Sequence, residues 1–201
     1  MKPARKTGSR RGSVARRTKE TSIEVDLRLA AGEARVETGI PFFDHMLEQL
    51  SRHGGMALTV KAKGDLEVDA HHTVEDVGIG IGEALRQATA DKTGLARYGN
   101  AVVPLDEALV EAVVDLSGRP HLTFNAKLPS GKRFIGAYDV DLTQDFLQAL
   151  VNHAHLCLHV NVRYGRNLHH VVEAIFKATA RALRAATARE GTALPSTKGV
   201  L

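Results

Sequence analysis

The feature that most constrains this chain is a cluster written twice. Residues 69–76 read DAHHTVED and residues 167–174 read NLHHVVEA, each opening a stretch of helical periodicity. A shift of 98 lays His71, His72, Val74, Glu75, Ala84, Leu85, Arg86, Ala88 and Thr89 on His169, His170, Val172, Glu173, Ala182, Leu183, Arg184, Ala186 and Thr187. Upstream the shift is 100, and Leu47, Leu50, His53, Leu58 and Val60 fall on Leu147, Leu150, His153, Leu158 and Val160. The change of two predicts a shorter loop before the second HH pair. Identity of this density marks a duplicated half-domain.

Each half reads as strands, a short helix, a strand, and the HHxVE helix. Alternating apolar positions predict strands over residues 21–29, 107–116 and 121–128, and again over MALTVKA and LCLHVNV. Phe43, Met46, Leu47 and Leu50, with Phe146, Leu147, Leu150 and Val151 in the copy, have the three- and four-residue spacing of short amphipathic helices. The expected fold is α+β and internally duplicated, each half a mixed or antiparallel sheet with helices packed on one face. The expected divisions are a flexible basic arm (1–19), two half-repeats (20–96 and 97–190, joined near 90–104) and a C-terminal substrate-binding tail (191–201), with 20–201 forming one compact domain.

On a helix, positions i and i+4 share a face, so His71 and Glu75 point together, as do His169 and Glu173. Adjacent histidines project about 100° apart, so one ion does not easily take both members of an HH pair from a regular helix. Imidazole with carboxylate suits Mn²⁺, Fe²⁺, Co²⁺, Ni²⁺ or Zn²⁺, and the absence of thiolates argues against a structural zinc site. The repeat also pairs His45 with Asp145. It therefore proposes two ligand sets, His45, His71, His72, Glu75 and Asp145, His169, His170, Glu173, each free to mix residues from both halves or from neighbouring subunits. Asp76, whose counterpart is Ala174, is expected to orient a ligand histidine. His53, before two glycines, is a candidate substrate contact, and His153 is expected to be structural.

Composition is that of a globular protein, with 43% hydrophobic and 25% charged residues. The net charge of +4 is misleading. Residues 1–20 hold eight basic residues and one acid, so the remainder carries 27 − 8 = 19 basic against 23 − 1 = 22 acidic. The basic stretch reads as a solvated arm, and nucleic-acid binding is not expected. A single Cys157 suits a reducing compartment. No apolar run reaches the roughly 20 residues that span a bilayer, and no apolar segment follows the N-terminal charges as in a secretory signal; the expected location is cytoplasmic.

PFFDHML, DAHHTVED, DEALV with VDLSGRP, GRNLHHVVEAIFKATARALR and the terminal PSTKGVL resemble the imidazoleglycerol-phosphate dehydratase family, over residues 17–201. The resemblance implies a lyase of histidine biosynthesis that converts imidazole glycerol phosphate to imidazole acetol phosphate and water. It further implies two Mn²⁺ ions per active site, a dimetal-stabilised imidazolate, and a 24-subunit assembly with active sites between subunits. Carried over by motif, His45, His71, His72, Glu75, His169, His170 and Glu173 are metal ligands. Asp145 stands where some relatives have histidine and still offers an oxygen. Glu20 matches a substrate-contacting acid and, with His53, is the expected acid/base pair; Glu75 and Glu173 are counted with them. Arg97, Arg119, Lys177, Ser196, Thr197 and Lys198 match phosphate-holding positions, apt types for an anion. Two rivals remain open from the residues alone, a dimetal hydrolase and a non-catalytic metal-storage protein.

Overall fold

A computed structural model of the chain describes residues 10–129, 131 and 133–199. Two four-stranded sheets carry the duplication. The first contains β1 (Arg11–Arg17), β2 (Ser22–Arg28), β3 (Ala34–Glu37) and β4 (Ala57–Lys63), ordered β1-β2-β4-β3. The second contains β5 (Tyr98–Leu105), β6 (Ala108–Asp115), β7 (His121–Asn125) and β10 (Cys157–Tyr164), ordered β5-β6-β10-β7. Each sheet is antiparallel except at its last pair, β3 with β4 or β7 with β10. Helices α1 (Pro41–Gly54) and α2 (His71–Ala88) belong to the first half, α3 (Leu142–Ala154) and α4 (Leu168–Ala186) to the second.

The helices pair across the halves, α2 with α3 and α1 with α4, while α2 lies on β1 and β2 and α4 on β5 and β6. Ile23, Val25, Leu27, Leu58 and Val60 on one sheet, and Val110, Val114, Leu158 and Val160 on the other, enter a single core with both helix pairs. One face of each sheet is buried and the other meets solvent, as strand alternation requires. Gly12 on β1 and Gly99 on β5 let the edge strands ride directly over a helix; a Cβ there would sit 2.0 Å from the Ala84 carbonyl oxygen or 2.1 Å from that of Ala182.

The structure extends the repeat beyond the two shifts visible in the sequence. Leu27 and Val114 pair with the equivalent residues Leu58 and Leu158, so the first hairpins are related by 114 − 27 = 87. Ala34 and Leu122 pair with the same two residues, so β3 and β7 are related by 122 − 34 = 88. The step from 88 to 100 is a 12-residue insertion after β7, containing the small hairpin β8 (Phe134–Ile135) and β9 (Tyr138–Asp139). It delivers the buried Tyr138 ring onto Phe43, with centroids 5.9 Å apart, and the Tyr138 hydroxyl pairs with Thr143 Oγ1 at 3.0 Å.

One expected division is corrected. Residues 11–17 are not a flexible arm. They form an edge strand whose inward Val14 packs on the core, and whose Arg11 reaches Asp26; arginines suit an exposed edge, where charge blocks further pairing. Residues 1–9 lie outside the described residues. Between α2 and the second sheet, β5 begins at Tyr98 inside the expected 90–104 junction, and its alternation of exposed and buried residues places Gly99 and Val103 inward. No helix among the described residues is long and apolar enough to cross a membrane.

Candidate active site

Both HHxVE helices begin with a side-chain cap supplied two residues before the first histidine. Asp69 Oδ1 accepts the His71 N–H at 2.7 Å, and Asn167 Oδ1 accepts that of His169 at 3.0 Å. The HH pairs therefore sit on the first turn, where each ring has room. Neighbouring rings stand edge-to-face, 6.1 Å apart at His71 and His72 and 6.2 Å at His169 and His170.

The helix pairing sorts the ligand candidates into two centres, each built across the halves. His45 from α1 meets His169 and Glu173 from α4: Glu173 Oε2 lies 3.0 Å from His169 Nε2 and 3.7 Å from His45 Nε2. One ligand atom from each of the three lies within 4.8 Å of the others, a spacing that suits one cation. The twin joins Asp145 from α3 to His71 and Glu75 from α2, with His71 Nδ1 3.6 Å from Asp145 and Nε2 3.9 Å from Glu75. The expected sets are thereby regrouped. His45 joins the second motif and Asp145 the first, because α1 packs on α4 and α2 on α3.

His72 and His170 turn away from these centres. His72 Nδ1 is 3.0 Å from Asp65 and 4.0 Å from Glu20. His170 Nδ1 is 2.8 Å from Glu107, with Asp106 3.9 Å from Nε2. The Asp65 hydrogen bond, with Glu20 nearby, raises the His72 pKa above its ordinary value. The bond from His170, with the Asn167 backbone N–H, lowers the Glu107 carboxyl to about 2. Asp65 and Glu107 were missed as site residues. Register with the duplicated hairpin points to Glu107, since 107 − 87 = 20 makes it the twin of Glu20, but that shift is invisible without the strand pairing.

Asp76 does not touch a histidine. Its carboxylate accepts from Arg16 Nε at 3.0 Å and from the Thr21 hydroxyl, anchoring the turn that carries Glu20. Burial opposes ionisation of Glu173, but the Lys177 ammonium 2.6 Å away and His169 hold its pKa below the ordinary carboxylate value. His53, two turns beyond His45, is half-buried; burial, then Lys177 and Arg181, lower its pKa. His153 Nδ1 lies 3.3 Å from Glu83.

The remaining substrate candidates gather elsewhere. Arg97, Arg119, Ser196, Thr197 and Lys198, with Arg86 and Lys92, line a cleft of about 920 Å³. Arg97 adopts a left-handed conformation (φ 71°), holds Asp115 with two bonds of 2.8 and 3.3 Å, and donates to the Pro195 carbonyl at 2.9 Å. It thus braces the C-terminal tail against the cleft. Lys177 is not in the cleft but beside Glu173. Fifteen residues of α2 separate Arg86 from His71, about 22 Å along the axis.

The comparisons agree on one family. The imidazoleglycerol-phosphate dehydratase family model matches residues 38–183. The chain belongs to the imidazoleglycerol-phosphate dehydratase family. It is 84% identical over 199 residues to imidazoleglycerol-phosphate dehydratase from Anaeromyxobacter dehalogenans strain 2CP-C, covering 99% of this chain and 96% of that protein. It is 56% identical to the Nitrosococcus oceani protein of the same name, covering 94% and 97%. Its fold matches the Staphylococcus aureus dehydratase structure with a TM-score of 0.81 at 37% identity, covering 89% of this chain and 99% of that one. The Pyrococcus furiosus enzyme, solved in complex with (S)-C348, matches with a TM-score of 0.82 at 36% identity, covering 94% and 100%. The duplicated α+β architecture is therefore shared with solved dehydratases, and the chain is an enzyme, a dehydratase of the lyase class serving histidine biosynthesis.

Proposed function

We propose that the chain converts imidazole glycerol phosphate to imidazole acetol phosphate and water, using two Mn²⁺ ions in active sites assembled between copies of itself. The observation that carries this reading is the pair of cross-half centres, each flanked by one histidine aimed elsewhere. Imidazole nitrogen and carboxylate oxygen without thiolate fit Mn²⁺. His45, His169 and Glu173 would hold one ion and Asp145, His71 and Glu75 the other, leaving His72 and His170 to complete centres of a neighbouring copy. When bound, the ions would supply Lewis-acid polarisation and orientation of an imidazole ring.

The separation of parts supports an intersubunit site. A small phosphate substrate does not bridge about 22 Å from one chain's cleft to its own ligand centres. The cationic cleft of one copy is therefore read as receiving the phosphate while another copy supplies the ring-binding centre. A closed assembly of many copies, 24 in the family the chain resembles, satisfies that geometry.

Dehydration removes a proton from one side-chain carbon and expels hydroxyl, with a proton, from its neighbour. Glu20 is the group assigned this transfer, a reading supported by its 56% exposed side chain 4.0 Å from His72 Nδ1, beside the outward-facing histidine. His53, whose pKa is lowered by burial and then by Lys177 and Arg181, is the second candidate for the transfer. Arg119 and Lys198 hold the phosphate as charge-assisted donors.

The test is a dehydratase assay on imidazole glycerol phosphate with metal quantified on the same sample. Activity that vanishes on chelation and returns with Mn²⁺ supports the proposal. Undiminished dehydration after complete metal removal sinks the dimetal reading, and turnover of generic phosphoesters in its place favours a hydrolase.

A further inference from the structure

We propose that Glu107 and Asp65 are positioning residues that aim His170 and His72 outward, and that Asp65 has taken this task from Glu20, leaving Glu20 free for the reaction. The proposal rests on the reading above, in which the two outward histidines are ligands to a shared ion.

A carboxylate can only accept, so the 2.8 Å contact between Glu107 and His170 Nδ1 requires the proton on Nδ1. Nε2 is then the lone-pair nitrogen, consistent with Asn167 Nδ2 lying 3.5 Å from it as a donor. The other oxygen of Glu107 accepts the backbone N–H groups of Arg166 at 3.2 Å and Asn167 at 2.7 Å. One side chain thus ties the β5–β6 turn to the start of α4 and fixes the ring. A ligand histidine bonded to a carboxylate in this way is both oriented and more basic.

The same logic holds in the first half with a different residue. His72 Nδ1 contacts Asp65 at 3.0 and 3.2 Å, so in the neutral ring Nε2 is also left as the lone-pair nitrogen. The repeat predicts Glu20 in this position, because the turns bounded by Arg17–Ser22 and Pro104–Leu109 are related by 87 at both ends. Glu20 instead stands off at 4.0 Å, and among the described residues its carboxylate accepts no hydrogen bond. Asp65 lies in the β4–α2 loop. Taking Lys63 with Arg163 and His71 with His169 as twins, that loop has 71 − 63 − 1 = 7 residues against 169 − 163 − 1 = 5. The longer loop brings the substitute carboxylate.

Glutamine separates positioning from mere support. Glu107→Gln keeps an oxygen for the backbone N–H groups of Arg166 and Asn167 but turns an amide donor toward Nδ1, favouring the Nε2–H tautomer. We expect Glu107→Gln and Asp65→Asn to bind Mn²⁺ about 10- to 100-fold more weakly with an unchanged thermal midpoint, and Glu20→Gln to bind it normally. Wild-type Mn²⁺ affinity in Glu107→Gln overturns the proposal. A second measurement needs no variant fold: ¹⁵N-histidine solid-state spectra of the metal-free protein at alkaline pH, assigned with His170→Asn and His72→Asn. Nδ1–H signals for both are expected, and Nε2–H signals overturn the proposal. His170→Ala separates the two readings. If it retains both ions at full affinity, the ligand assignment itself fails; if it loses metal while Glu107→Gln does not, only the positioning role fails.

Discussion

The centre formed by His45, His169 and Glu173 lies in a basic neighbourhood, and its twin formed by Asp145, His71 and Glu75 in an acidic one. Lys177 and Arg181 follow Glu173 on α4; the equivalent α2 positions after Glu75 are Ile79 and Glu83. His53 accordingly feels two cations where His153 faces a carboxylate. The duplication preserved the helix backbone and the HH pairs, while His45 became Asp145 in the copy and the neighbours diverged. The difference teaches that the centres correspond in the fold but differ in closeness and charge: His45, His169 and Glu173 converge within 4.8 Å, whereas Asp145 and Glu75 face opposite nitrogens of His71. A divalent cation is attracted more strongly to the acidic twin, by an amount that falls with exposure and salt.

The harshest test removes one imidazole from each side. His71→Ala and His169→Ala should each lose one ion per chain and cut dehydration by about 10⁴-fold or more, the several kcal/mol of charge stabilisation a metal supplies. Metal analysis alongside the assay decides it, and both variants retaining two ions per chain would break the two-centre comparison. Next comes the contrast between the hairpin twins. Glu20→Gln should lower turnover by about 10² to 10⁴-fold with metal content intact, whereas Glu107→Gln should act through metal. If Glu20→Gln turns over normally, the released twin is not the acid/base group.

How much of this was legible follows from where side-chain identity is constrained. The helices with their HH pairs, and β4 with β10, keep their spacing because helix packing tolerates no slip, so shifts of 98 and 100 showed in the sequence. The first hairpins repeat at 87, but their strands ask only for an inward apolar residue, so Leu27 and Val114 share a position without identity. That hid β1 and β5, and with them the kinship of Glu20 and Glu107. The regrouping of His45 with the second motif and Asp145 with the first was unreadable for another reason. Which helix pairs with which is decided by three-dimensional packing, and sequence order suggested the reverse.

The helix pairs themselves differ in thickness. On α2, Gly78 and Gly82 let α3 approach so closely that a Cβ would sit 2.7 Å from the Phe146 carbonyl oxygen or 2.6 Å from that of Leu150. The equivalent α4 positions are Phe176 and Ala180. Gly82→Ala should therefore destabilise by about 1–3 kcal/mol through overpacking, despite alanine's better helix propensity. Thermal or urea unfolding measures it, and a stabilised variant would show that the α2–α3 approach is looser than described. A milder contrast lies at the ends of α1 and α3, where Gly55 (φ 62°) and His155 (φ 54°) occupy twin left-handed caps. Only the histidine carries the Cβ strain, so His155→Gly should gain about 1 kcal/mol; an unchanged or lower midpoint would mean His155 is held by contacts that offset the strain.

The smallest expected effect is a slope, and it reports on the charge contrast directly. Burial, with Lys177 and Arg181, lowers the pKa of His53 in the fold from 6.5. As pH falls, the unfolded chain takes up this proton first, so it binds more protons than the folded chain across the window between the two values. Stability contributed by neutral His53 is full above the unfolded value, declines below it, and is wholly lost once pH passes the lower folded value. His53→Gln should flatten the acid side of the stability curve of the metal-free protein, measured by urea unfolding at successive pH values. An unchanged slope in His53→Gln would mean that neither burial nor the Lys177–Arg181 pair depresses this imidazole, and the basic half of the comparison would fail.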